Sequence, residues 1–107
     1  KLIVFDANWY HYLFSEELRK AYEEDRKNVK RAHLYDHNIG ANFDQMERIA
    51  EQLPMTLIDR PSWDRVELEK IGFQNIQVDT EVYQRVWTHE EKINYASTPL
   101  FEIVATK

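Results

Sequence analysis

The chain has 107 residues, 43% hydrophobic and 13% aromatic, with a formal net charge of −5. That length is one domain or a piece of one, and the composition is globular, not disordered. The acidic balance argues against duplex nucleic acid as a general electrostatic partner, and the absence of cysteine excludes a disulfide framework or a thiolate metal site.

Lack of thiols fits a reducing, cytoplasmic setting. No stretch approaches the ~18 apolar residues of a membrane span, and the opening residues do not read as a signal peptide. The first residue already belongs to a strand and no initiator methionine precedes it, so the expectation is a chain that starts mid-domain.

Leu2 to Phe5 is an unbroken apolar run that turns polar at Asp6. Such a run reads as a strand buried on both faces, as in the centre of a parallel sheet covered by helices. The ligand crevice of such sheets lies outside the carboxyl ends of the strands, which points to Asp6, Ala7, Asn8 and Trp9. An aromatic-rich connector, Tyr10 to Phe14, follows. Ser15 then reads as an N-cap with Glu16 and Glu17 in the first turn. The helix from Glu16 to Arg31 carries Glu16–Lys20 and Glu23–Lys27 pairs and only a thin stripe of Leu18, Tyr22 and Val29, so it is expected outside, as a solvated lid.

His33 to Ala41 is a polar connector with Gly40 as its turn residue. Asn42 opens a second helix whose Phe43, Met46, Ile49, Ala50 and Leu53 form a stripe expected to be buried, with Pro54 as its stop. Met55 to Asp59 is expected to be extended. A third helix runs from the Pro61–Ser62 region to Lys70, with Trp63, Val66, Leu68 and Ile71 apolar and Gly72 just past its end. Phe73 to Thr80 alternates as a half-wet strand. Thr88 to Glu91 is a capping box opening a short helix to about Tyr95. Leu100 to Ala105 is the last strand.

Lys70-Ile71-Gly72-Phe73 followed by Asn75-Ile76-Gln77-Val78 resembles the helix-to-strand corner of class I S-adenosylmethionine-dependent methyltransferases. Leu100 to Lys107 (LFEIVATK) resembles the seventh strand of that fold, and Lys1 to Asn8 (KLIVFDAN) the fifth. Asn8-Trp9-Tyr10, Leu53-Pro54 and Arg60-Pro61-Ser62-Trp63-Asp64 are similar to the insertion of a mostly uncharacterised bacterial and archaeal subgroup.

The resemblance implies an α/β three-layer sandwich fragment. It would hold the last three strands of a seven-stranded Rossmann-like sheet, the final two antiparallel and the last strand between the other two. It divides the chain into a central strand (1–9), a helical insertion or lid (10–60) and a helix, strand, short helix and strand (61–107). The glycine-rich loop and the acidic ribose-binding residue of the family are missing. The resemblance therefore implies S-adenosylmethionine as cofactor of a longer parent, with no cofactor-binding residue in this chain. It also implies a small-molecule methyl acceptor, and an unpaired strand edge through which the fragment would dimerise.

Within that reading Asp6, Asn8, Trp9, Tyr10 and His11 border the acceptor. Asp6 or His11 could take a proton in an in-line methyl displacement. The plainer alternative is that Asp6 caps the turn and Trp9 packs under the insertion. Trp63, Trp87, Tyr83, Tyr95 and Phe101 read as core or rim aromatics, and Trp87, Tyr95 and Tyr12 could close the acceptor pocket. His33 and His37, four apart around Asp36, have a metal-ligand spacing on a helix. However, no zincin-type glutamate adjoins them and the helix is ending there, so no metal is assigned. The rival to a methyltransferase fragment is a non-catalytic α+β interaction or dimerisation module.

Overall fold

A computed structural model describes residues 1–38 and 42–107. The turn expected at Gly40 lies outside the described residues. The described chain is a small α/β unit: β1 (Leu2–Asp6), α1 (Glu16–Arg31), α2 (Phe43–Ala50), α3 (Ser62–Lys70), β2 (Gln74–Asp79), α4 (Tyr83–Val86), α5 (His89–Asn94) and β3 (Phe101–Thr106). Single 3-10 turns at His11–Leu13 and Pro54–Leu57 interrupt the connectors.

The sheet order is β1-β3-β2, with β3 antiparallel to both neighbours. The expected central position of the last strand is therefore present. Because β1 and β2 both oppose β3, they run parallel to each other. Their carboxyl ends and the start of β3 lie on one rim of the sheet.

Directly opposed residues of an antiparallel pair share a face. Leu2, Val4 and Asp6 thus share one face with Ala105, Ile103 and Phe101, and Val78 joins them opposite Ile103. This face is closed, with Phe101, Ile103 and Ala105 all buried. The opposite face carries Ile3 and Phe5, which remain 55% and 51% exposed. Burial of the opening run on both faces, expected from its unbroken apolarity, is not what this chain achieves. An apolar run states what its two faces are suited to, and nothing among the described residues covers the second one.

The helix boundaries follow local chemistry. The Ser15 hydroxyl accepts from the Leu18 N–H at 3.3 Å, capping α1 as expected. Thr88 and Glu91 form both arms of the capping box at the head of α5, at 2.8 and 3.1 Å. At the end of α3, Gly72 adopts φ +96. Its N–H reaches the Glu69 carbonyl at 3.1 Å and the Phe73 N–H reaches Leu68 at 2.9 Å, the paired bonds of a Schellman ending.

Other expectations fail for tertiary reasons. The α2 stripe is not buried: Met46, Ile49 and Leu53 are exposed and only Ala50 is closed off. Periodicity aligned those side chains, but among the described residues nothing buries them. Asn42 precedes α2 without a side-chain capping bond. The segment expected to be extended after Pro54 forms its 3-10 turn instead, and proline suits such a turn's start. On α3, Trp63, Val66 and Ile71 are exposed. β2 ends at Asp79, and Tyr83–Val86 forms α4.

The charged run of α1 is also not a uniformly solvated face. Asp25 is buried and accepts both the backbone N–H and the hydroxyl of Ser97. Arg26 donates to Asp36 and to the Asn94 carbonyl. These contacts, with Val29 1% exposed, dock α1 against α5.

Candidate functional site

The residues expected at the site leave β1 at the sheet rim and wind immediately into the connector. Asp6 Oδ1 accepts the Ala7 N–H at 2.8 Å and the Trp9 indole N–H at 3.0 Å, while Oδ2 pairs with Arg60. Its oxygens thus cap the turn and fix Trp9. Asn8 clamps the Arg60 backbone at two points, donating Nδ2–H to the carbonyl at 2.7 Å and accepting the N–H at 3.2 Å. His11 Nε2 lies 2.7 Å from the Ile58 carbonyl, so that nitrogen carries the proton.

Arg60 is the hub that the sequence reading did not single out. It donates Nε and Nη2 to the two oxygens of Asp64 at 2.9 and 2.6 Å, pairs with Asp6, and lies 5.5 Å over the Phe101 ring. Its hydrogen bonds to Asp64 first and then to Asp6 push the already high guanidinium pKa up further, against burial, which lowers it. Asn8, His11, Arg60, Thr80, Ser97 and Phe101 contribute to a cavity of about 280 Å³ along the rim.

A second cavity of about 360 Å³ lies between the connector, α1 and α5. Trp9 packs against Trp87 at 6.4 Å and Tyr95 at 5.6 Å, ring centre to ring centre, and Trp87 meets Tyr95 at 5.6 Å. Tyr12 and Tyr22, also lining this cavity, stack face to face at 3.9 Å. Tyr12 donates to Glu47; burial, followed by that hydrogen bond, pushes its phenol pKa well up. Burial likewise raises Tyr10, with Glu47 adding to it. The cavity therefore has neutral aromatic walls.

His37 stands at the same cavity. Its Nδ1 is 2.7 Å from the Tyr95 hydroxyl and its Nε2 is 3.3 Å from Glu90, while its backbone N–H donates to Asn94 at 2.9 Å. It does not share a helix face with His33, because α1 ends at Arg31 and His33 takes φ 56. Asp36 is occupied by Arg26. Among the described residues no group of three histidine or acidic side chains is arranged to hold a metal, and no helix is long and apolar enough to cross a membrane.

The structure thus separates the expected residues. Asp6, Asn8 and His11 brace the Arg60 segment. Trp9 and Tyr10 line the aromatic cavity, where Tyr12 of the same connector and Trp87 and Tyr95, at the ends of α4 and α5, join them. Comparison of the chain with family models, curated proteins and solved structures gives no match.

Proposed function

We propose that the chain is the C-terminal part of a class I S-adenosylmethionine-dependent methyltransferase. It would contribute the sheet edge and the methyl-acceptor side of the active site. The observation that supports this most directly is the order β1-β3-β2 with the last strand central and antiparallel to both neighbours. That is the arrangement expected for the fifth, seventh and sixth strands of the resembled fold. The bare Ile3 and Phe5 face and the outer edge of β1 are where the remainder of such a sheet would join.

In this reading the cofactor belongs to the absent half, the acceptor is a small molecule held over the rim, and the protein is cytoplasmic. Isothermal titration of the full-length parent with S-adenosylhomocysteine tests it. Binding that the 107-residue chain alone lacks is the expected result. A parent without binding would overturn the reading.

The exposed apolar groups favour a second reading, an interaction or dimerisation module. Besides Ile3 and Phe5, Ile49, Leu53 and Leu57 are more than half exposed. Surfaces of this kind commonly mark interfaces. In that case the parent binds no cofactor, and the chain self-associates through the β1 edge or face.

A further inference from the structure

The cavity between the connector, α1 and α5 is lined by a buried acid with one oxygen to spare. Asp25 is 5% exposed. The N–H and the O–H of Ser97 both donate to its Oδ2. Its Oδ1 has no hydrogen-bond partner among the described residues. An ionised carboxylate only accepts, so what this oxygen lacks is a donor. A ligand N–H in the cavity would complete its hydrogen bonding.

Charges of both signs border the space. Asp25 and Glu91 line it. Behind the stacked Tyr12 and Tyr22 rings lie the guanidiniums of Arg19 and Arg26, 5.7 and 5.2 Å from the ring centres, and Arg26 Nε is buried without a partner. An anion would meet the carboxylates and a cation the guanidiniums, so the surroundings favour a molecule with no net charge. The other wall is Trp9, Trp87 and Tyr95, which suits a flat ring. Trp9 gives its indole N–H to Asp6, whereas the indole N–H of Trp87 has no partner among the described residues. It is a donor in want of an acceptor. At about 360 Å³ the space suits one ring or two fused rings.

We propose that this cavity binds a neutral, flat heteroaromatic ring that carries both an N–H and a carbonyl, as pyrimidinones and purinones do. The ring N–H donates to Asp25 Oδ1, and the ring carbonyl accepts from the Trp87 indole N–H. Specificity comes from the pairing of an acid that lacks a donor with an indole that lacks an acceptor. A ring that cannot fill both leaves a polar group of the cavity unpaired. The site does not depend on the methyltransferase reading, and no step of group transfer is assigned to it.

Four probes of similar shape test it. 2-Quinolinone carries the N–H and the carbonyl, and N-methyl-2-quinolinone keeps only the carbonyl. N-methylquinolinium is a cation and quinoline-2-carboxylate an anion. Each is titrated into the 107-residue chain and followed by the ¹H–¹⁵N spectrum. The indole N–H signals give an internal control, since Trp9 and Trp87 line the cavity and Trp63 does not. 2-Quinolinone is expected to bind at least about tenfold more tightly than the other three and to move the Trp87 signal downfield, with Trp63 unchanged. An N-methyl derivative or an ionic probe that binds as well, a response at Trp63 alone, or no binding by any probe would overturn the assignment.

Two variants assign the contacts. In Asp25→Asn the amide oxygen can keep the Ser97 bonds, which turns its NH₂ toward the ligand N–H, so that two donors meet. Binding of 2-quinolinone should fall to the level of the N-methyl derivative, whose own affinity should not fall. Trp87→Phe keeps a flat ring and removes the N–H, and should weaken 2-quinolinone at least about threefold. It tests the site independently if Asp25→Asn does not fold. Undiminished 2-quinolinone binding in either folded variant would overturn the contact it removes. No cofactor enters these titrations, so a methyltransferase reading that failed and a cavity that failed give different results.

Discussion

Arg60 and Asp64 meet fork to fork, with Nε and Nη2 donating to the two carboxylate oxygens at 2.9 and 2.6 Å. Asp64 is 8% exposed, so its charge is taken out of water on the strength of this partner. The same guanidinium reaches across to Asp6 at the end of β1. One side chain thus ties the third helix to the first strand across a gap of 54 residues in sequence.

Arg60→Met leaves a buried carboxylate unpaired and is expected to destabilise the chain by about 3–5 kcal/mol in urea unfolding. Arg60→Lys keeps the charge but has a single ammonium in place of the planar fork, so its loss should fall between wild type and Arg60→Met. Equal stability of Arg60→Met and wild type would show that the pairing does not hold α3 to β1.

Gly72 gives a backbone effect separable from packing. Its φ of +96 is disfavoured for a side-chain-bearing residue, yet a Cβ placed there meets nothing within 4 Å. Gly72→Ala should therefore cost about 1 kcal/mol through conformation alone. Gly72→Asn should cost less, since asparagine tolerates the left-handed region better. A larger loss for asparagine than for alanine in thermal unfolding would contradict this.

The capping box is expected to behave as a reciprocal pair. Thr88→Ala removes the acceptor for the Glu91 N–H and should cost about 1 kcal/mol. Glu91→Ala removes the acceptor for the Thr88 N–H. Since each side chain positions the other, the double variant should lose less than the sum of the two single ones. Additive losses in a double-mutant cycle would mean the two bonds form independently.

These features differ in how far they could be read from sequence, and the difference is one of range. Ser15, Gly72 and the Thr88–Glu91 pair act on backbone within a few residues of themselves, so residue type and spacing suffice. The central, antiparallel last strand came from a resemblance across several segments, and the pairing of Phe101–Thr106 with both neighbours agrees with it. The Met46, Ile49 and Leu53 stripe shows the limit. A helical period aligns side chains but does not supply the surface that covers them. Arg60 is not singled out by the sequence, and His37 is weighed there only as a metal ligand, because their partners lie 54, 58 and 53 positions away. Trp87, Tyr95 and Tyr12 were recognised as possible pocket walls, but their meeting with Trp9 depends on the docking of α1 and α5.

The open face of β1 makes a prediction about assembly. Ile3 and Phe5 lie one above the other on the uncovered side of an edge strand. The isolated chain is expected to form dimers at high concentration in light scattering, through this edge or face. Burying a phenylalanine contributes about 1.5–3 kcal/mol, so Phe5→Lys should weaken the dimer by one to two decades in dissociation constant. An Ile49→Lys control on α2 should leave it unchanged. A wild-type chain that stays monomeric throughout would count against both an incomplete sheet and a dimerisation module.

Asp25 sets a pH dependence whose sign can be worked out. Burial pushes its carboxyl pKa up, against the hydrogen bonds from Ser97, which pull it down, and the net direction is up. The unfolded chain titrates this group at the ordinary value of about 3.9. Between that value and the raised folded one, the folded state holds more protons than the unfolded state. Stability from this group is therefore fully present below the ordinary carboxylate value and is lost as pH rises through the folded one. Asparagine keeps an amide oxygen to accept from Ser97 but has no charge to desolvate. The stability difference, wild type minus Asp25→Asn, should fall as pH is raised from strongly acidic toward neutral, with the other carboxylates cancelling between the two chains. Urea midpoints of both at a series of pH values measure it. A difference that stays flat or grows with pH would mean that the Ser97 bonds, not burial, govern this carboxylate, and that α1 docks on α5 through a charge the protein stabilises.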